Sequence, residues 1–164
     1  MSTTKFQITD QDRQFIKMAC KLASDNIDKG GGPFGAVIVK DGEIVATGCN
    51  SVTLDNDPTA HAEVNAIRKA CASAGNFKLD DCVIYSSCEP CPMCLSALYW
   101  AGVKRIYYAN TQHDAARINF DDNFIYVEID KPHEERQIPC IHVHDDHAID
   151  HFVKWEKFEN KTEY

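Results

Sequence analysis

Two short segments constrain this chain more than anything else in it: Thr59-Ala60-His61-Ala62-Glu63 and Cys88-Glu89-Pro90-Cys91-Pro92-Met93-Cys94. Cys91 and Cys94 are separated by two residues, and Pro92 suits the first turn of a helix. Placed at a helix start, both sulfurs lie on one side of that turn, and the positive end of the helix favours thiolate over thiol. A third ligand must come from elsewhere in the fold, and His61 is the candidate. Three protein donors leave one tetrahedral position open for water, the catalytic arrangement for zinc. Glu63 need not be a ligand. A carboxylate beside a metal-bound water can carry protons, and the metal lowers that water's pKa to about 7.

A lone Cys-x-x-Cys says little, and a lone His-x-Glu says less. Both together, in this order, each opening an expected helix and with Pro90 before the first Cys, match the zinc deaminase signature, in which the Glu is the proton shuttle. One Zn2+ per chain is expected. A closed structural site with Cys88 as fourth ligand is the competing reading, but such sites usually draw on paired Cys/His knuckles. A dithiol redox role for Cys91 and Cys94 would leave His61 and Glu63 without a purpose. A non-catalytic zinc-stabilised module would need no Glu63.

The periodicity predicts an α/β domain. A helix is expected over 10–28, with Phe15, Ala19, Leu22 and Asn26 on one stripe, Thr9 or Asp10 as its cap and Gly30–Gly32 at its end. Strands 36–40 and 43–48 flank Asp41-Gly42, a hairpin turn. Residues 50–59 read as loop, 60–74 as helix, 83–86 as strand, 92–102 as helix and 103–109 as strand. A last strand at 138–143 and a closing helix at 145–160, capped by Asp145-Asp146, complete the series; 114–131 carries no clear pattern. Strands alternating with helices after a hairpin imply a mixed sheet with helices on its faces.

The 164 residues suit a single domain. The net charge of −8 opposes phosphate backbones, so no nucleic-acid partner is expected, and a small neutral substrate meets no such objection. No run approaches the ~18 apolar residues of a membrane span, so no membrane association is expected. The start, Met1 to Asp10, is polar and does not read as a secretion signal. Cys20, Cys49, Cys71, Cys82 and Cys140 read as small buried hydrophobes, which together with the clustered cysteines suits a reducing cytoplasm.

Beyond the signature, the chain resembles the bacterial guanine deaminases of the cytidine-deaminase-like superfamily. The matching stretches are GGPFGAVIVKDG from Gly31, NDPTAHAEVNAIRKAC from Asn56, CEPCPMC from Cys88, Ala97 to Ala101, FDDNFIY from Phe120, EIDKPHEER from Glu128 and the end through Tyr164. The resemblance implies a three-layer fold with a mixed five-stranded sheet sandwiched by helices. It makes His61, Cys91 and Cys94 the zinc ligands and Glu63 the shuttle. It makes Asn50 a base-binding amide and Asp122 a carboxylate that contacts the purine and helps move protons. Phe34 and Trp100 then line the pocket, and Tyr164 reaches an active site. It also implies a homodimer that exchanges the C-terminal segment, about 145–164. The implied reaction is guanine to xanthine and ammonia, in purine catabolism or salvage.

By residue type alone, other roles stay open. Phe34 and Trp100 suit a core, Asn50 a strand-end turn, Asp121 or Asp122 a helix cap, and Tyr164 a frayed terminus. His142, His144, His147 and His151 read as polar surface rather than a second metal site. Guanosine deaminases of plants are the first alternative, since they too resemble this chain and share a terminal Tyr. A tRNA adenosine deaminase is the second. Residues 145–164 hold six acidic side chains against three lysines, a poor tail for binding RNA.

Overall fold

A computed structural model describes residues 6–164; the first five residues of the polar start lie outside the described residues. Two compact units divide at Asn123, the second being Phe124–Tyr164.

The first unit opens with α1 (Asp10–Ile27). Thr9 caps it in a reciprocal box: its Oγ1 accepts from the Asp12 N–H at 3.1 Å, and its own N–H donates to Asp12 Oδ2 at 2.7 Å. The hairpin is β1 (Gly35–Lys40) and β2 (Glu43–Cys49). Asp41 and Gly42 both have positive φ, 50° and 84°, as the two-residue turn requires. The expected loop over 50–59 contains one helical turn, α2 (Val52–Asp55), ended by Asn56 in the left-handed region. Then follow α3 (Ala62–Ala74), β3 (Cys82–Cys88), α4 (Pro92–Ala101), β4 (Arg105–Asn110) and the short α5 (Gln112–Ala116).

The sheet runs β2-β1-β3-β4, antiparallel except for the parallel β3–β4 pair. Both faces are covered. Ala36, Ile38 and Ile84 point to α3 and α4, where Ala62, Ala66, Ala70 and Leu98 close the core. Val37, Val39 and Tyr85 point the other way and meet Phe15 and Ala19 of α1. Hence β1 is apolar at nearly every position instead of alternating. This is the mixed sheet between helix layers that the sequence predicts, with one correction: among the described residues it has four strands, not five.

The missing strand was expected at 138–143, within the second unit, where the chain is irregular. Pro139 cannot donate to a ladder. The unit contains α6 (Asn123–Asp130), which begins one residue before the division, a 3₁₀ turn at His133–Glu135, and α7 (Asp150–Glu156). The closing helix is thus shorter than expected. Asp145 accepts from the His147 N–H at 2.7 Å in a turn and does not cap the helix, which starts after Ile149. No residue of Phe124–Tyr164 is buried, so Cys140 is exposed and not the buried hydrophobe the sequence suggests. Cys82 is buried as expected, while Cys20, Cys49 and Cys71 are half-buried. No described helix is long and apolar enough to cross a membrane.

Close approach fixes α3 on β2. A Cβ at Gly48 would collide with the Ala62 carbonyl oxygen and lie 2.6 Å from the Ala66 nitrogen. Gly48→Ala is therefore expected to push α3 off the strand and cost about 1–3 kcal/mol. His61 immediately precedes α3, so the variant should also retain metal less well. Urea unfolding and metal content check this, and an unchanged unfolding midpoint would contradict it.

Candidate active site

Two helix starts converge. His61 and Cys91 are the N-cap residues of α3 and α4, both in extended conformation, and Cys94 sits in the first turn of α4. His61 therefore lies just outside its helix, which begins two residues later than the sequence suggests. His61 Nδ1 is 3.5 Å from Cys91 Sγ and 3.4 Å from Cys94 Sγ. A zinc ion with bonds of about 2.3 Å to sulfur and about 2.0–2.1 Å to nitrogen has tetrahedral S···N edges of about 3.6 Å. The donor set fits that ion. Among the described residues, these three form the one His/Cys/Asp/Glu group close enough to hold a metal.

The electrostatics agree with that chemistry. A hydrogen bond from Cys94, opposed by burial and aided by His61, pulls the Cys91 thiol down to about 4. The Cys94 thiol is pushed up, first by that same bond to Cys91 and then by burial. One proton is thus shared between two sulfurs, and metal binding must release it. The bond to Cys91 raises the His61 pKa. Cys88 stays apart: its Sγ lies 3.6 Å from the Thr111 carbonyl oxygen, and burial pushes its thiol up to about 11. It is not part of the donor group.

Glu63, in the first turn of α3, is buried against the same donors. Burial raises its pKa, while hydrogen bonding from Ser86 acts the other way. Ser86 Oγ donates to Glu63 Oε1 at 2.7 Å. Ser86 follows the alternation of β3 and shares the face of Ile84. Asp122 is half-buried, and its pKa is raised by burial and by the negative charges of Cys91, Asp121 and Glu89. Its neighbour Asp121 accepts from the Asn123 N–H through Oδ1 at 3.0 Å, a turn leading into α6.

Asn50 follows β2 and is buried. Its N–H donates to the Phe34 carbonyl at 3.1 Å, and the next N–H, of Ser51, donates to the Ala60 carbonyl at 2.9 Å, beside His61. Phe34 packs on the α3/α4 side of the core and meets Phe120 edge to face at 5.0 Å. Trp100, near the end of α4, is 66% exposed, and Tyr164, in the second unit, is 77% exposed. Among the described residues, the four C-terminal histidines gather no metal group; His144 faces Asp146 at 2.9 Å and His147 faces Asp150 at 3.3 Å.

Sequence reasoning misses the roles of three polar side chains. Ser86 contacts Glu63. Asn65 Nδ2 lies 2.9 Å from the Cys49 carbonyl and 3.3 Å from the Ala60 carbonyl, tying β2 to the turn before His61. Asn26 bonds the Asn50 carbonyl. For Ser86 and Asn26 the signal is a polar residue on an otherwise apolar face; Asn65 lies off the apolar face of α3 and carries no such signal.

Residues 9–110 match the cytidine and deoxycytidylate deaminase zinc-binding region. The chain belongs to this deaminase family. It is 58% identical over 151 residues to the guanine deaminase of Bacillus subtilis, covering 92% of this chain and 97% of the relative. The crystal structure of guanine deaminase from that species superposes with a TM-score of 0.92 at 56% identity, over 96% of this chain and 99% of that one. The tRNA-specific adenosine deaminase of Aquifex aeolicus is 34% identical, over 88% of this chain and 83% of its own. A solved guanine deaminase from Nitrosomonas europaea matches at TM-score 0.65 and 29% identity, over 72% of this chain and 68% of that one.

Removing one donor should empty the site. Cys91→Ala leaves two protein ligands, and retained metal per chain should fall to a small fraction after dialysis against a weak chelator. Elemental analysis measures it; full retention would place the metal on other residues.

Proposed function

We propose that this enzyme hydrolyses guanine to xanthine and ammonia, with one zinc ion per chain held by His61, Cys91 and Cys94. The observation that carries the reading is a buried carboxylate, Glu63, set against these donors in a chain so similar to a guanine deaminase along its whole length. When bound, zinc supplies a water acidified to a pKa of about 7 and a positive charge where negative charge develops.

The protein's own groups do the rest. Glu63 takes a proton from the attacking water as it adds to C2 of the base. Glu63 then protonates the adjacent ring nitrogen and helps ammonia leave. Its raised pKa suits a group that both accepts and donates. The Ser86 bond leaves Oε2 as the oxygen not engaged by that hydroxyl. Asn50 Oδ1 accepts from the Val52 N–H at 3.3 Å, and among the described residues nothing accepts from its Nδ2, which is then available to a base acceptor. Asp122 takes a ring N–H or the amino group, and Phe34 supplies apolar wall.

Guanosine is the second substrate to test, since the metal and carboxylate would treat its ring alike. A tRNA substrate is disfavoured by the net charge of −8. The eight cysteines are free, which suits the reducing cytoplasm in which we place the enzyme.

A homodimer that exchanges the segment 145–164 completes the reading. No residue of Phe124–Tyr164 is buried, and Ile138 is 82% and Val143 79% exposed. Apolar surface of this kind calls for a partner, and exchange between identical chains is a low-cost way to provide one. Tyr164 would then line the active site of the second copy.

Ammonia release from guanine, guanosine, adenine, cytosine and cytidine tests the substrate directly, with guanine expected to be fastest. Glu63→Gln should keep its zinc and lower kcat by about 10²–10⁴; near-normal turnover in the zinc-loaded variant would place the proton shuttle elsewhere. Deleting Tyr164 should lower activity sharply with zinc content intact, by exposing the reacting centre to water. Truncation after Val153 should shift the solution mass towards monomer, and an unchanged dimer would count against the exchange.

A further inference from the structure

Asn26 lies in the last turn of α1, buried, on the face that also carries Phe15, Ala19 and Ala23. Its Nδ2 donates to two carbonyls from separate segments, Gly32 at 2.8 Å and Asn50 at 2.7 Å. Its own backbone carbonyl accepts from the N–H groups of Lys29 at 3.1 Å and Gly31 at 3.0 Å. A buried amide is costly unless its bonds are made, and packing alone would be served by an apolar residue here.

We propose that Asn26 is a positioning residue for base recognition: its amide fixes the Asn50 peptide against the Gly31–Phe34 loop and so aims the Asn50 side chain at the substrate. The inference rests on the reading of Asn50 as a base-binding amide. The packing is tight enough to transmit a displacement. A Cβ at Gly31 would collide with Asn26 Nδ2 and lie 2.6 Å from the Asn50 carbonyl oxygen; one at Gly32 would lie 2.7 Å from Asn50 Oδ1. The same loop leads to Phe34, whose carbonyl accepts from Asn50. One amide thus holds both Asn50 and the loop that carries Phe34. Among the described residues, Asn26 makes no hydrogen bond to His61, Glu63, Cys91 or Cys94, so its effect should fall on binding and not on metal retention or proton transfer.

The test is a double-variant cycle on the full-length, zinc-loaded enzyme with guanine. Asn26→Ala should raise KM about tenfold, the scale of one lost hydrogen bond, with kcat within about threefold and zinc content unchanged. Asn50→Ala should raise KM at least as much. The double variant should be no worse in kcat/KM than Asn50→Ala alone, because both changes remove the same contact. A residue that only ties α1 to the loop would lower the melting temperature and leave KM where it was. If Asn26→Ala folds poorly, Asn26→Ser, which keeps one donor, should show the same KM change at smaller size. The inference is overturned if KM is unchanged in the folded Asn26 variant while Asn50→Ala raises it, or if the two penalties multiply. An unchanged KM in Asn50→Ala overturns the reading of Asn50 itself, and this inference with it.

Discussion

His61 Nδ1 can lie within 3.5 Å of two sulfurs because two helices begin at the same place. Each helix start carries partial positive charge on unpaired N–H groups. Bringing two together is unfavourable unless negative charge lies between them. The chain places three acidic groups nearby, and burial raises the proton affinity of each. For the Cys91 thiol, hydrogen bonds with Cys94 and His61 outweigh burial and lower it, whereas for Glu63 and Asp122 burial prevails and raises them. Glu63 is left with a proton affinity above that of an ordinary carboxylate, which suits the proton-carrying role proposed for it.

The central strands carry this arrangement. On β3, successive side chains serve opposite layers. Tyr85 turns towards α1 and donates its hydroxyl to Asp12 Oδ1 at 2.6 Å, on the residue that completes the α1 capping box. Ser86 turns towards α3 and bonds Glu63. At Gly48 on β2, the missing side chain lets α3 settle on the strand. His61, Cys91 and Cys94 thus stand on helix ends whose separation is set by a packed sheet, and rigid elements hold such a donor group more closely than loops do.

Much of this was legible in the sequence because the signals are local. Pro92 marks a helix start, Asp41-Gly42 a hairpin, and the His-x-Glu and Cys-x-x-Cys spacings a donor set. The sequence hid what depends on distant partners. Asn26 sits in a periodic stripe and reads as one more inward position; only the fold shows which carbonyls it meets. Ser86 looks like an ordinary small strand residue until α3 is laid over it. In the segment 138–143, a short, mostly apolar run suggests a strand, but a strand needs a paired edge, and none of its residues is buried. Local periodicity reports an inclination to pair and does not supply the partner.

The boundary of the family match bears on substrate choice. Residues 9–110 hold His61, Cys91, Cys94, Glu63, Asn50 and Phe34, and the chain is similar both to a guanine deaminase and to a tRNA-specific adenosine deaminase. On the proposed reading, this segment encodes the reaction: donors, proton carrier and a sheet to hold them. Asp122 and Tyr164 lie beyond it, as does the whole second unit. In 145–164, six acidic side chains face three lysines, a balance that repels a phosphate backbone. The same stretch is rich in exposed apolar side chains, among them Phe152, Trp155 and Phe158. An acidic surface of this kind is unsuited to RNA. On the proposed reading, the matched segment supplies the chemistry, and the acidic balance of 145–164 is one feature that separates this chain from a protein built to hold a polynucleotide.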